Sequence, residues 1–232
     1  MILLEDILKE QYSVAKVYKN TDEKSIVLLR HNELKKEIIC RKCKGNGEVY
    51  KVLNGISYVN LPQVYAVSKN NKKITVLEEF ISGVTVADIL VNGLYNEQGV
   101  RKVIKSLCDA LTVLHNNGIV HRDIKPENII IADDGTVKLI DFDAARIFKN
   151  GQSKDTKIIG TAGYAAPEQF GLAQSDERTD IFAVGVLMNV MLTGEHPSKK
   201  LYKGKLTKII EKCIQLDPQK RYKSAEELKK YL

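Results

Sequence analysis

The chain has 232 residues, 44% hydrophobic and 28% charged, with a formal charge of +7, which describes an ordinary globular protein and excludes a fibrous or disordered one. That length buries a sizeable core without disulfides or metals and allows two lobes, while no apolar run reaches the roughly 18 residues of a membrane helix. The opening Met1-Ile2-Leu3-Leu4-Glu5-Asp6 turns acidic too early for a secretory signal, and lysines alternate with glutamates in Glu33-Leu34-Lys35-Lys36-Glu37 and Glu226-Glu227-Leu228-Lys229-Lys230, so a cytoplasmic chain with neither a membrane nor a nucleic-acid partner is expected.

In chain order, Tyr12 to Lys19 and Lys24 to Arg30 read as β-strands around the polar turn Asn20-Thr21-Asp22-Glu23. A charged helix is expected from Asn32 to Lys44, broken by Gly45-Asn46-Gly47, with a second helical run from Glu48 to Leu53. Leu61 to Ser68 and Lys73 to Phe80 are strand candidates about Lys69-Asn70-Asn71-Lys72. From Thr85 helices dominate: Asn96 to Asn116, the very apolar Asp180 to Thr193, Leu206 to Gln215, and Ser224 to Leu232, where Ser224 and Glu227 form a capping-box pattern. Ile129-Ile130-Ile131 and Val137-Lys138-Leu139-Ile140 make a hairpin about Asp133-Asp134-Gly135. Cys40-Arg41-Lys42-Cys43 has the outline of one zinc knuckle, but a closed site needs four ligands and no second pair exists. Reduced thiols near a helix-to-loop junction are expected instead.

Three elements carry chemistry. His121-Arg122-Asp123-Ile124-Lys125-Pro126-Glu127-Asn128 packs a carboxylate, an ammonium and a carboxamide into one loop: a base for a hydroxyl, a cation for a phosphate and an oxygen ligand for magnesium. Asp141-Phe142-Asp143 follows, then Gly160-Thr161-Ala162-Gly163-Tyr164-Ala165-Ala166-Pro167-Glu168. In this order they resemble the catalytic loop, metal-binding loop and activation-segment end of eukaryotic-type protein kinases, in the bacterial-style serine/threonine branch. The resemblance is most specific from Leu114 to Arg221 and weakest before Val76.

It implies an α+β bilobal protein-kinase fold, with a small β-rich lobe over residues 1–80 and a larger, mainly helical lobe over 81–232. ATP and Mg2+ would serve in the interlobe cleft, and the partner would be a protein substrate offering a Ser or Thr hydroxyl. Asp123 would accept or orient the hydroxyl proton, Lys125 would meet the transferring phosphate, and Asn128 and Asp141 would hold magnesium. Thr161 would bond the catalytic loop, Asp180 would brace its backbone, and Glu168 would pair with Arg221. Arg122 is positioned to pair with a phosphate on the activation segment, Ala144 to Ile159, where Ser153 and Thr156 are the candidate sites.

The chain departs from the family in several places. Asp143 replaces the metal-loop glycine, and Leu8 to Ala15, where a glycine-rich phosphate loop would lie, contains no glycine. Aligning Val27-Leu28-Leu29-Arg30 with the family's Val-Ala-Ile-Lys puts Arg30 at the lysine position, a swap that changes geometry. Glu48 is then its helix partner, with Glu37 as runner-up. The backbone of Glu79-Phe80-Ile81 would bind adenine, through Glu79 and Ile81, with Glu78 as a polar gatekeeper. Two rival readings are a pseudokinase scaffold, favoured by the missing glycines and Arg30, and a small-molecule phosphotransferase on the same fold.

Overall fold

Period-two alternation in the first 80 residues builds one antiparallel sheet, and helical periodicity builds most of the rest. The computed structural model describes residues 4–44, 47–70, 73–148, 161, 163–170 and 175–232. The expected Gly45-Asn46 break, Asn71-Lys72, Gly160, Ala162 and the segment with Ser153 and Thr156 lie outside the described residues. The chain divides into two units, Met1–Tyr58 with Pro62–Ile81, and Val59–Leu61 with Ser82–Leu232.

In the first unit α1 (Leu4–Gln11) precedes β1 (Tyr12–Asn20), β2 (Lys24–His31) and β3 (Glu37–Lys44); α2 (Gly47–Leu53), β4 (Val64–Asn70) and β5 (Lys73–Glu79) follow. The sheet order is β1-β2-β3-β5-β4, antiparallel throughout. Leu8 of α1 packs with Leu29, Cys40 and Leu77, joined by Val27, Ile38 and Ala66, so α1 covers one face. Because side chains alternate along a strand, Ile39, Arg41, Val76 and Glu78 belong to the other face. There Arg41 pairs across the strands with Val76, and Ile39 with Glu78, which makes Arg41 and Glu78 diagonal neighbours. Both are buried, and the Arg41 Nε and Nη2 donate to Glu78 Oε1 at 3.2 and 3.1 Å.

Three expectations are corrected here. The stretch read as a helix from Asn32 to Lys44 is β3 from Glu37 onward; its charges suggested a helix surface, but Ile38-Ile39 and the intervening apolar cysteines favour a strand sandwiched between β2 and β5. The glycine-free stretch Leu8 to Ala15 is the end of α1 and the start of β1 rather than a loop, while the β1–β2 turn falls where expected, at Thr21-Asp22-Glu23, with the Thr21 hydroxyl donating to the Lys24 carbonyl at 3.0 Å. Cys40 and Cys43 sit three residues apart on β3 rather than at a helix-to-loop junction, hence on opposite faces, and cannot form a knuckle together. All four cysteines are buried thiols.

The second unit contains β6 (Gly83–Thr85), α3 (Val86–Asn92), α4 (Glu97–Asn116), β7 (Ile119–Val120), β8 (Ile129–Ala132), β9 (Val137–Leu139), β10 (Arg146–Ile147), α5 (Glu177–Thr193), α6 (Thr207–Cys213) and α7 (Ala225–Lys229). Asn96 caps α4 by accepting the Gly99 N–H, and one face of α4 buries Val100, Val103, Ile104, Leu107, Leu111 and Leu114. α5 is apolar on all sides because it is surrounded; Gly185 lets α6 approach so closely that a Cβ would strike Cys213. At α7 the Ser224 hydroxyl accepts the Glu227 N–H, whereas the Glu227 carboxylate takes the N–H of Lys223, one residue before the cap, at 2.6 Å.

Glu168 and Arg221 form the buried pair anticipated from sequence. Arg221 Nη1 and Nη2 reach the two Glu168 oxygens at 2.7 and 3.0 Å, and the guanidinium also donates to the carbonyls of Arg178, Gln215 and Leu216. Such a fork leaves little unsatisfied, but removing one partner strands a buried charge, at a cost of about 3–5 kcal/mol. Arg221→Met should therefore lower the melting temperature by about 10 °C, and adding Glu168→Met should restore most of it. Differential scanning calorimetry showing the single variant within 2 °C of the parent, at roughly the noise of such a shift, would refute the anchoring role.

Candidate active site

The site is assembled by a short piece of chain that folds back on itself. α4 ends at Asn116 and Gly118 turns the chain with φ 70°, delivering β7 and then the loop from His121. A single 3₁₀ turn, Pro126–Asn128, leads into β8. β8 pairs with β9 through Ile129↔Leu139, and the Ile140 N–H donates to the Asn128 carbonyl at 2.9 Å. The hairpin therefore sets Asp141 one residue beyond a backbone bond to Asn128. Arg122 and Asp141 have φ of 65° and 66°, sparsely populated for non-glycine residues, so strained backbone flanks the site on both sides.

That backbone is held by Asp180 at the start of α5. Its Oδ1 accepts the Arg122 N–H at 2.7 Å, and its Oδ2 accepts the His121 N–H at 2.9 Å and lies 2.8 Å from His115 Nε2. Burial alone would raise the Asp180 pKa, but the His115 hydrogen bond, the nearby imidazoles and the Arg122 N–H outweigh it and hold the carboxyl below its ordinary range. His121 is pushed the other way: complete burial lowers its pKa despite the attraction of Asp180, Asp123 and Asp141. A neutral His121 fits its contacts, with Nε2 3.2 Å from the Ile140 carbonyl and Nδ1 accepting the Asp123 N–H at 3.3 Å. Gln169 donates from Nε2 to the Arg122 carbonyl at 2.9 Å.

On this frame Asp123, Lys125, Asn128 and Thr161 close a ring. Asp123 Oδ1 accepts the Thr161 hydroxyl at 2.6 Å. Its Oδ2 accepts the Asn128 amide at 2.9 Å and lies 2.8 Å from Lys125 Nζ, which in turn donates to Thr161 Oγ1 at 2.8 Å. The Asn128 amide also donates to the Asp123 carbonyl, so both of its N–H contacts face Asp123 and the carboxamide oxygen remains for a cation. A carboxylate and a carboxamide oxygen are the hard donors that Mg2+ takes when phosphates and water supply the rest. Among the described residues no three His, Cys, Asp or Glu side chains gather into a metal cage, and such a shared site does not require one.

The second unit thus brings together Asp123, Lys125, Asn128 and Thr161, with Asp141 delivered beside them in sequence and hairpin register. In the first unit the expected residues fall differently. Arg30 lies on β2, exposed, with Nη2 2.6 Å from Glu37, its cross-strand neighbour. It is a surface pair, and Arg41 is the arginine on β3. Glu48 sits exposed in the first turn of α2. The Glu79 N–H is committed to the Gln63 carbonyl at 2.8 Å, and Ile81 lies just past β5. Sequence reasoning did not find the buried Arg41–Glu78 pair, because the misread helix hid the strand that carries Arg41. It also missed His115 and Gln169, whose roles depend on contacts 65 and 47 residues away.

The sequence model of the protein kinase domain family matches residues 11–204. The serine/threonine-protein kinase PknL of Mycobacterium tuberculosis is 39% identical over 139 residues, covering 59% of this chain and 35% of that protein. Serine/threonine-protein kinase D of Synechocystis sp. is 33% identical over 189 residues, 72% of this chain and 37% of that one. The serine/threonine-protein kinase cds1 of Schizosaccharomyces pombe is 27% identical over 207 residues, 76% and 45%. The chain spans less than half the length of these curated relatives. With the family match running through most of the sheet and the whole Asp123 ring, the chain belongs to the protein kinase family.

Proposed function

We propose that the chain transfers the γ-phosphate of ATP to a serine or threonine hydroxyl of a protein substrate. The observation that carries this reading is the closed ring of Asp123, Lys125, Asn128 and Thr161. In it Asp123 accepts or orients the hydroxyl proton, and Lys125 balances charge on the moving phosphoryl group. Asn128 and Asp141 would hold Mg2+, which neutralises phosphate charge when bound. The names of the relatives, serine/threonine-protein kinases, and the Lys125–Thr161 contact favour the serine/threonine class over a small-molecule phosphotransferase. Need for ATP and four buried thiols suit a cytoplasmic site of action.

Arg41 rather than Arg30 is proposed as the cation that meets the nucleotide phosphates, since the family carries that charge on its third strand. The adenine would use the backbone at Glu79 and Ile81, and Glu48 is the proposed helix carboxylate.

With Mg2+, γ-labelled ATP and a generic protein substrate, the parent should transfer label, and Asp123→Ala should lose about 10²-fold or more of the rate. Nucleotide binding by the parent without label transfer would instead establish the pseudokinase reading. Calorimetric ATP titrations should leave the affinity of Arg30→Ala within about twofold of the parent, as for an exposed pair. The folded Arg41→Met/Glu78→Met protein, in which no buried charge is stranded, should bind ATP about tenfold more weakly. The reverse order would return the assignment to Arg30.

A further inference from the structure

Between Glu195 and Glu211 the chain carries no acidic residue and five lysines, Lys199, Lys200, Lys203, Lys205 and Lys208. Lysines elsewhere, as in Glu33-Leu34-Lys35-Lys36-Glu37 and Glu226-Glu227-Leu228-Lys229-Lys230, lie next to carboxylates, whereas these five fall within ten residues with none between them. All five are exposed. Among the described residues the one carboxylate that ion-pairs with any of their ammonium groups is Glu195, 3.8 Å from Lys199.

The loop that carries the first four, ahead of Lys208 on α6, is fixed from within. Asn189 of α5, completely buried, donates to the carbonyls of Glu195 and Lys200 at 2.7 and 2.8 Å and accepts the Tyr202 N–H at 2.8 Å. Glu97 of α4 accepts the Tyr202 hydroxyl at 2.8 Å and the Lys205 N–H at 2.7 Å. The Tyr202 hydroxyl bond, together with the backbone N–H groups of Lys205 and Leu206, lowers the Glu97 pKa, although desolvation opposes this. Gly204 fits beneath: a Cβ there would collide with the Tyr202 ring and with Glu97 Oε1, 2.7 Å away. Leu206 is buried. With Tyr202 tied to Glu97 and Leu206 buried, the lysines on either side are left at the surface.

Holding like charges together in a rigid loop gains nothing for folding, because their mutual repulsion opposes it. A flexible lysine run would lose chain entropy on meeting a partner; this loop has already lost it. We infer that the stretch from Lys199 to Lys208, the loop before α6 and its first turn, is a docking surface for an acidic segment of the protein substrate. The inference rests on the proposed kinase reading and adds to it the substrate class: proteins bearing a run of Asp and Glu. Docking of this type acts on substrate capture and leaves nucleotide binding alone. It weakens as salt screens it.

The test is direct binding, measured by fluorescence anisotropy. The probes are a labelled serine peptide flanked by Asp and Glu, its Asn and Gln counterpart, and a single-stranded RNA of matched charge. The full chain should bind the acidic peptide about tenfold more tightly than the neutral one and more tightly than the RNA. Replacing Lys199, Lys200, Lys203 and Lys205 by Ser should erase the preference while leaving ATP affinity and melting temperature as in the parent. Gly204→Ala, which keeps every charge but disturbs the Tyr202–Glu97 anchor, should weaken the preference. A parent that does not discriminate, a four-serine variant that binds as the parent does, or an RNA bound as tightly as the acidic peptide each overturns the inference. Because binding is read without turnover, selective binding by a chain that transfers no phosphate supports the surface and contradicts only the kinase reading.

Discussion

One fully buried carboxylate organises the second unit. Asp180 gathers His115 and the backbone N–H groups of His121 and Arg122, and these bonds keep it ionised in a dry interior that would otherwise favour its neutral form. The loop pays for this in backbone strain at Arg122. What it gains is a fixed starting point for the residues that follow, so that Asp123 leaves the frame beside Lys125, Asn128 and Thr161. Gln169 holds the Arg122 carbonyl from the other side, and the Glu168–Arg221 pair next to it ties that segment to the chain before α7.

The same logic of buried charge governs the first unit on a smaller scale. A strand in the middle of a sheet is a poor place for an arginine, and β3 accommodates Arg41 through the diagonal carboxylate of Glu78. Glu78, read from sequence as a polar residue at a usually apolar position, thereby acquires a concrete partner. By contrast, Arg30 and Glu37 meet at the solvent-exposed end of the β2–β3 pair, where an ion pair contributes little.

Sequence was most informative where chemistry is local. The run from His121 to Asn128, the hairpin that follows and Asp141 are contiguous, so spacing alone conveys their juxtaposition. The long helices α4 and α5 were equally legible from apolar periodicity. Legibility failed between Asn32 and Lys44, where interleaved charges imitate a helix face and only neighbouring strands reveal a sheet. That reading hid the strand that carries Arg41, while Arg30 was chosen by aligning Val27-Leu28-Leu29-Arg30 with the family's Val-Ala-Ile-Lys. His115 and Gln169 were invisible for a different reason: single residues whose partners lie far along the chain carry no local pattern. The lysines after α5 were in plain view, yet their significance depends on Asn189 and Glu97 fixing the loop from beneath.

The central claim is that Asp180 works through the geometry of the catalytic loop, and Asp180→Asn probes it most directly. The substitution keeps size but replaces one acceptor oxygen with a donor facing a backbone N–H. Turnover, ATP affinity and melting temperature of the folded variant should be measured side by side. The account predicts a turnover lower by about 10²-fold, as for a displaced reacting group, with ATP affinity unchanged. A folded variant that turns over like the parent would contradict it.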